Sequence, residues 1–383
     1  MGLFMEPAIP QPKNFRSMDA VRAVATCCIV ALHAATPYVS IDLPHLLWPV
    51  KEQLDSFAWP DCLFWIIRCF ARGTLFLIAG YASCAVMVRY GAAEFIKRRC
   101  VRLAIPLVTG TFTILFVMYV IWSLGWVRSG LAEFRNIVHF RFHKNGIQAE
   151  LYGFAHLWFL WYLLLVSVVF GSLRLLVPRF SLPQPIVNAL GATPLRWLLI
   201  AIPVAAVVHL KPEAIFDFRN GFIPRLDFLA YHVPFFIAGC FFFGARESLA
   251  KNPRWWLIEP VAAIVSAFVL CRILLGGPPS GPRAELELAG AIGALGAFAS
   301  CALVSWSFSS KAPSGPRWEF LAHNSFFIYL WHLPFVGAVH ILLYETAVPI
   351  AIKTILAFVA GIAGAVWVRR LISKTRFIRL FGE

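Results

Sequence analysis

Residues 18–38 read MDAVRAVATCCIVALHAATPY. From Asp19 onward the run is long and apolar enough to cross a bilayer, which takes about 20 residues, yet it carries Arg22 and His33. On a helix those two positions differ by three turns plus roughly 20°, so their side chains share one face about 16 Å apart along the axis. Asp19 precedes Arg22 by one turn and can pair with it. Ionisable groups inside a span are costly and are therefore functional candidates. A neutral imidazole in that setting can take a proton from a hydroxyl, as a general base does. The plainer alternative is an interfacial arginine that snorkels and a histidine satisfied by a neighbouring helix.

The composition extends this pattern to the whole chain. Its 383 residues are 60% hydrophobic, 15% aromatic and only 14% charged, with a mean hydropathy of +0.74. A soluble domain is about 45–50% apolar and about 25% charged, and a solvated disordered chain does not carry 35 Phe and 14 Trp. The expected fold is all-α: a polytopic integral membrane helical bundle of about ten transmembrane helices. The apolar segments run near 20–40, 63–88, 103–125, 155–177, 196–210, 228–245, 256–275, 286–308, 321–343 and 347–368. The fifth is short and contains Pro203, which predicts a tilted, kinked or partly re-entrant element. Residues 1–18 and 369–383 read as polar tails and 19–368 as one membrane domain, with no room for a separate soluble catalytic domain. The first apolar run is of full span length and holds Arg22, so it is expected to stay as an anchor rather than be cleaved.

A net charge of +15 does not imply nucleic acid here, because the Lys and Arg residues sit in short clusters between apolar stretches. With the N-terminus inside, alternate connections hold twenty basic residues on one side and nine on the other, which predicts both termini cytoplasmic. The nine cysteines form no CxxC pair and lie mostly in apolar segments, so neither a disulfide framework nor a zinc site is expected. His139 and His143 have i, i+4 spacing but no third ligand close by in the sequence, and no metal is expected.

Other polar groups interrupt apolar runs. Arg68 and Arg72 are one turn apart on the second segment. Either they pair with Asp55, Asp61 or Glu150, or they hold an anionic ligand. In FIKRRCVRLAIP (95–106), Arg99 and Arg102 serve either topology and lipid headgroups or a clamp for a phosphorylated cytosolic substrate. His156, in FAHLWFLWYLL (154–164), and His332, in NSFFIYLWHLPF (324–335), are either packing residues at an aromatic belt or site residues. Trp48, Trp59, Trp65, Trp126 and Trp158 suit sugar stacking or, for most of them, belt anchoring.

Four stretches, in order, carry a resemblance: MDAVRAVATCCIVALHAATPY; FARGTLFLIAGYASCAVMVRYG followed by KRRCVRLAIPLVTG; HLWFLWYLLL; and HNSFFIYLWHLPF. Together they resemble the acyltransferase 3 family of integral membrane acyltransferases, in particular its glucan-succinylating branch. The resemblance implies O-acyl transfer from cytoplasmic acyl-CoA (succinyl-CoA or acetyl-CoA, a co-substrate, with no bound cofactor) to a hydroxyl of a periplasmic or cell-surface glycan. It implies a multi-pass protein of the inner (cytoplasmic) membrane, in contact with membrane lipids, without nucleic acid, and with room for a second copy of the chain or a glucan-biosynthesis partner. Carried over by position, His33 matches the family's essential histidine, Arg22 its arginine partner, and Arg99 and Arg102 its Arg-x-x-Arg. Gly80 and Ser83 fall in its small-residue stretch, where this chain has Ala79 in place of a common serine. His156 and His332 match positions of the branch. Many relatives carry a fused extracytoplasmic domain that this chain does not show, so the membrane unit is expected to meet its acceptor directly or through a partner protein. In the expected mechanism His33 deprotonates the acceptor, a covalent acyl-His step being the variant, while Arg68 or Arg72 stabilises the oxyanion. The alternative from another class is a transporter whose buried Arg and His residues line a path; the internal repeats usual in transporters are not visible.

Overall fold

The computed structural model describes residues 13–139, 147, 151–178, 182–251, 255–277, 280–309 and 315–381. His143 and Glu150 lie outside the described residues, as do the outermost parts of both tails. Twelve longer helices are seen: α1 (Lys13–Ala35), α2 (Trp59–Arg99), α3 (Ile105–Phe112), α4 (Ile114–Arg128), α5 (Trp158–Leu176), α6 (Gln184–Ala192), α7 (Leu195–Leu210), α8 (Leu226–Gly244), α9 (Trp255–Leu275), α10 (Pro282–Phe308), α11 (Pro316–Leu343) and α12 (Ile350–Ile372). No strand occurs among the described residues. The starts of α10 and α11 follow one local rule: Gly281 and Gly315, at φ 97° and 111°, turn the chain, and Pro282 and Pro316 open the helix where no N–H is needed.

Eight stretches are long and apolar enough to cross a membrane. One of them, Trp59–Arg128, is a 70-residue run that holds two of the expected segments. It departs from helical geometry at Gly91 (φ 81°) and passes through a π-helical turn at Cys100–Ala104 before α3 and α4. The short fifth segment is α7, which passes as a span only with α6, bent from it by 70°. The bend lies not at Pro203 but ahead of Pro194: a proline disfavours the helical region for the residue before it, and Thr193 is extended (ψ 174°).

Lipid is as apolar as these helices, so their association depends on close packing and small residues. α2 and α8 cross where Gly80 meets the Phe236 carbonyl and Gly239 meets the Leu77 carbonyl; a Cβ at either glycine would collide with that backbone. Gly293 of α10 makes the same kind of approach to Ala201 of α7. α1 lies inside the bundle against α2, α10, α11 and α12, which is why a helix with its own Arg and His is tolerated.

Two basic residues sit in buried ion pairs, Arg196, which sequence counting places at an interface, and Lys353, which lies within the last apolar segment. Arg196 of α7 and Glu259 of α9 are 1% and 0% exposed; Oε1 of the glutamate also accepts from Trp197 Nε1 at 2.7 Å, and the arginine donates to Ser305 at 3.1 Å. Lys353 of α12 donates to Glu52 at 2.7 Å and is 3% exposed. Arg196 therefore drops out of the count of loop charges.

Candidate active site

A cavity of about 580 Å³ opens among α1, α2, α4, α5, α8 and α11 beneath the connections around His45 and Asp217. Of the residues singled out from sequence, His33, Trp48, Arg68, Arg72, Trp126, His156, Trp158 and His332 line it. Arg22, Asp19, Arg99, Arg102 and Ser83 do not.

Three imidazoles from three helical segments meet there. The His33 and His332 ring centroids are 5.3 Å apart, and those of His156 and His332 are 5.6 Å apart. Backbone carbonyls accept only, so they settle two tautomers. His332 Nδ1 lies 2.9 Å from the Ile328 oxygen and 2.8 Å from that of Tyr329, so it carries the proton and leaves Nε2 bare. His156 Nε2 lies 2.9 Å from the Leu330 oxygen and carries the proton, leaving Nδ1 bare. Both bare nitrogens, and His33 Nδ1, are buried without a hydrogen-bond partner.

The carbonyl that holds His156 is free for a reason written in α11. Pro334, four residues after Leu330, has no N–H to give it. The proline thus turns a helix carbonyl into a ligand for a histidine of another segment, and the Tyr329 hydroxyl returns a bond to the His156 carbonyl. Pro334→Ala restores a competing N–H and is expected to lower the rate of the reaction proposed below about 3- to 10-fold while the protein stays folded, one neutral hydrogen bond being worth about 1 kcal/mol. Initial-rate measurements check this; an unchanged rate removes His156 from the site.

Trp48 lies parallel to His33 (centroids 5.7 Å apart, 9° between planes). It is held there by its Nε1–H on His340 Nδ1 at 3.1 Å, and Trp122 and Trp126 donate to the backbone oxygens of Leu47 and Trp48. Trp48, Trp65 and Trp126 are 4%, 1% and 2% exposed, so they face protein rather than a membrane belt, whereas Trp59 stays exposed.

At the mouth, two connections are tied together. His45 Nδ1 meets Asp217 Oδ1 at 2.7 Å, and the Phe218 N–H donates to the Pro44 carbonyl at 3.1 Å. Burial opposes the Asp217 charge, but the Arg219 backbone N–H, His45 and the Arg225 guanidinium outweigh it and hold the carboxyl below its ordinary range. Arg225 bridges Asp217 at 2.9 Å and Asp227, and its own N–H donates to the Tyr162 hydroxyl at 2.6 Å.

Of the acids considered for Arg68 and Arg72, Asp55 and Asp61 do not pair with them, and Glu150 lies outside the described residues. Asp61 is taken by Ser40 and the Ala58 N–H. Arg68 donates to the Ile215 carbonyl at 2.6 Å and lies 3.7 Å over the Phe218 ring; Arg72 lies 5.5 Å over Trp158. Among the described residues neither has a carboxylate within 4.0 Å.

The remaining candidates lie elsewhere in the bundle. Arg22 pairs with Asp19 at 3.0 Å as its spacing suggests, and also donates to Ser325 at 2.8 Å and the Ala322 carbonyl at 3.0 Å, so it joins α1 to α11. Arg99 donates to Ser83 Oγ at 3.2 Å. Ser83 is fully buried and serves as its anchor, while Arg102 is exposed on the π-helical turn.

Sequence reasoning missed Tyr329, Asp217, Arg225 and Pro334. Only Pro334 left a signal, a proline two positions after a histidine inside a span.

Comparison with known proteins bears on this arrangement. The family described as Acyltransferase domain matches residues 15–372. Curated proteins named Glucans biosynthesis protein C from Salmonella schwarzengrund (strain CVM19633), Salmonella gallinarum and Salmonella typhi are 25%, 24% and 24% identical over 243 residues. That match covers 62% of this chain and 60% of the length of each relative. No solved structure matches. With the family match running over all but the two ends of its sequence, this chain belongs to the acyltransferase 3 family, whose members carry the acyltransferase domain.

Proposed function

We propose that the protein is a membrane O-acyltransferase that moves an acyl group, succinyl or acetyl, from acyl-CoA to a hydroxyl of a periplasmic or cell-surface glycan. The observation that carries this reading is His33 in a cavity beside two neutral-tautomer imidazoles. A base needs a nitrogen free to accept the proton, and His33 Nδ1 is buried on the cavity wall without a hydrogen-bond partner among the described residues. In the proposed reaction an acceptor hydroxyl gives its proton to His33 as its oxygen attacks the thioester carbonyl. The tetrahedral intermediate collapses, the C–S bond breaks, and the coenzyme A thiolate leaves and takes the proton.

Donor and acceptor approach from opposite ends in this proposal. Arg99, fixed by Ser83, together with Arg102 and Arg22, is assigned to the phosphates of the donor on the cytoplasmic side, with both termini on that side and the protein in the inner membrane. Trp48, Trp158 and the Asp217–Arg225 mouth are assigned to the sugar. The names of the Salmonella relatives support a glucan as acceptor.

The experiment is incubation of the purified full-length protein with acyl-CoA and a glucan. Release of free coenzyme A matched by a mass increment on the glucan is the expected result. Movement of substrate across vesicles without coenzyme A release would replace the enzyme by a transporter.

A further inference from the structure

Three other cations of the bundle are matched with acids. Arg196 has Glu259, Lys353 has Glu52, and Arg225 has Asp217 and Asp227. Arg68 and Arg72, one turn apart on α2 and both on the cavity wall, have no acid within 4.0 Å among the described residues, and unlike Arg99, which donates to Ser83 Oγ and the Ala79 carbonyl away from the cavity, they face its open space. Arg68 is 5% exposed. Its Nη2 and the Arg72 Nε are buried without a partner. What stabilises the pair is two backbone carbonyls, that of Ile215 for Arg68 at 2.6 Å and that of Arg68 for Arg72 at 3.4 Å, and the ring faces of Phe218, Trp158 and Phe228. Two guanidiniums removed from water without counter-ions are expensive.

A catalytic oxyanion does not resolve this. It exists only as the carbonyl is attacked, whereas the arginines carry their charge throughout. A thioester carbonyl is neutral while bound, and one developing charge is a poor match for two permanent ones. We infer that Arg68 and Arg72 form a subsite for a permanently charged oxyanion, a carboxylate or phosphate, that a substrate carries into the cavity. A guanidinium suits such a group because its planar fork donates two parallel N–H bonds. The acid among the described cavity-lining residues cannot compete, since Asp217 is held by His45, Arg219 and Arg225. The anion has two sources: the far end of a dicarboxylic acyl group, or an acidic substituent on the acceptor glycan. Which of them it is rests on the acyl-transfer reading; that an anion binds does not.

The test therefore begins with binding. The full-length protein in detergent is melted with succinate, with inorganic phosphate and with neutral succinamide. One or both anions are expected to raise the melting temperature where succinamide does not, and Arg72→Gln and Arg68→Gln are expected to lose that shift. Equal shifts with succinate and succinamide, or a shift that survives both variants, would overturn the subsite. Competition by succinate but not succinamide in the wild type repeats the comparison if a variant fails to fold. Turnover then separates the sources. A donor-borne anion predicts that kcat/KM favours succinyl-CoA over acetyl-CoA by about 10- to 100-fold and that Arg72→Gln removes the preference, the scale of a charged hydrogen bond. An acceptor-borne anion predicts the same preference for acidic over neutral glucan with acetyl-CoA. Arg72→Gln slowing every substrate pair alike would make the pair an oxyanion hole and end the proposal. Anion binding without turnover of any donor would instead retain the subsite and reject the acyltransferase.

Discussion

His33→Ala is expected to lower acyl transfer by about 10²- to 10⁴-fold, the usual contribution of a general base, with the protein present at wild-type levels. The rings around His33 come from other segments: Trp48 stacks on it and His332 lies 5.3 Å away. Removing one imidazole from a cavity wall leaves the α1 packing surfaces in place, so the loss should be in kcat more than in apparent donor affinity. Mass spectrometry of the cell-envelope glycans and coenzyme A release by the purified variant both measure it. The informative comparison is His332→Ala, because His332 Nε2 is a bare acceptor by tautomer. If that variant is dead while His33→Ala keeps normal rates, the base is His332 and the proposed role of His33 is wrong.

The second large effect concerns stability. Glu259→Ala is expected to destabilise the protein by about 3–5 kcal/mol, because it leaves Arg196 as an uncompensated charge in a site with no access to water. The measurement is unfolding of the solubilised protein by heat or denaturant. Removing both charges, as in Arg196→Met with Glu259→Leu, should recover most of that loss, since an apolar pair of similar volume is often no worse than a buried ion pair. A double variant as unstable as Glu259→Ala would show that the cost comes from packing against Trp197 and Ser305 rather than from the orphaned charge.

These two experiments fall on residues of different legibility. His33 announces itself: a histidine in a 20-residue apolar run is visible without any partner, and the helix period alone relates it to Arg22. The Asp19–Arg22 contact is equally local and forms at 3.0 Å. Arg196 looks from sequence like a loop charge, and nothing near it in the chain identifies Glu259, 63 positions away, as its partner. Trp48 and Trp126 look like belt residues because composition cannot tell a lipid-facing indole from one that holds a loop over a histidine. The Arg99 and Arg102 spacing assumes a regular α-helix, and the π-helical turn at Cys100–Ala104 changes which way successive side chains point.

The sequence by itself determined that this chain is a helical membrane bundle, roughly how many times it passes through the membrane, and which family it resembles. Hydropathy summed over one span is a property of contiguous residues, and the backbone's need to satisfy its own hydrogen bonds in lipid leaves the helix as the structure for such a run. Only the tertiary structure decided which of the polar residues share a cavity. It separated His33 from Arg22, joined it to His332 and His156, bound Asp217 to Arg225 and left Arg68 and Arg72 without acids. Each of those outcomes depends on contacts between helices far apart in the chain, such as the Leu330 carbonyl freed by Pro334 for a histidine 174 positions earlier. A bond of that kind is set by how the helices cross, which no single segment encodes.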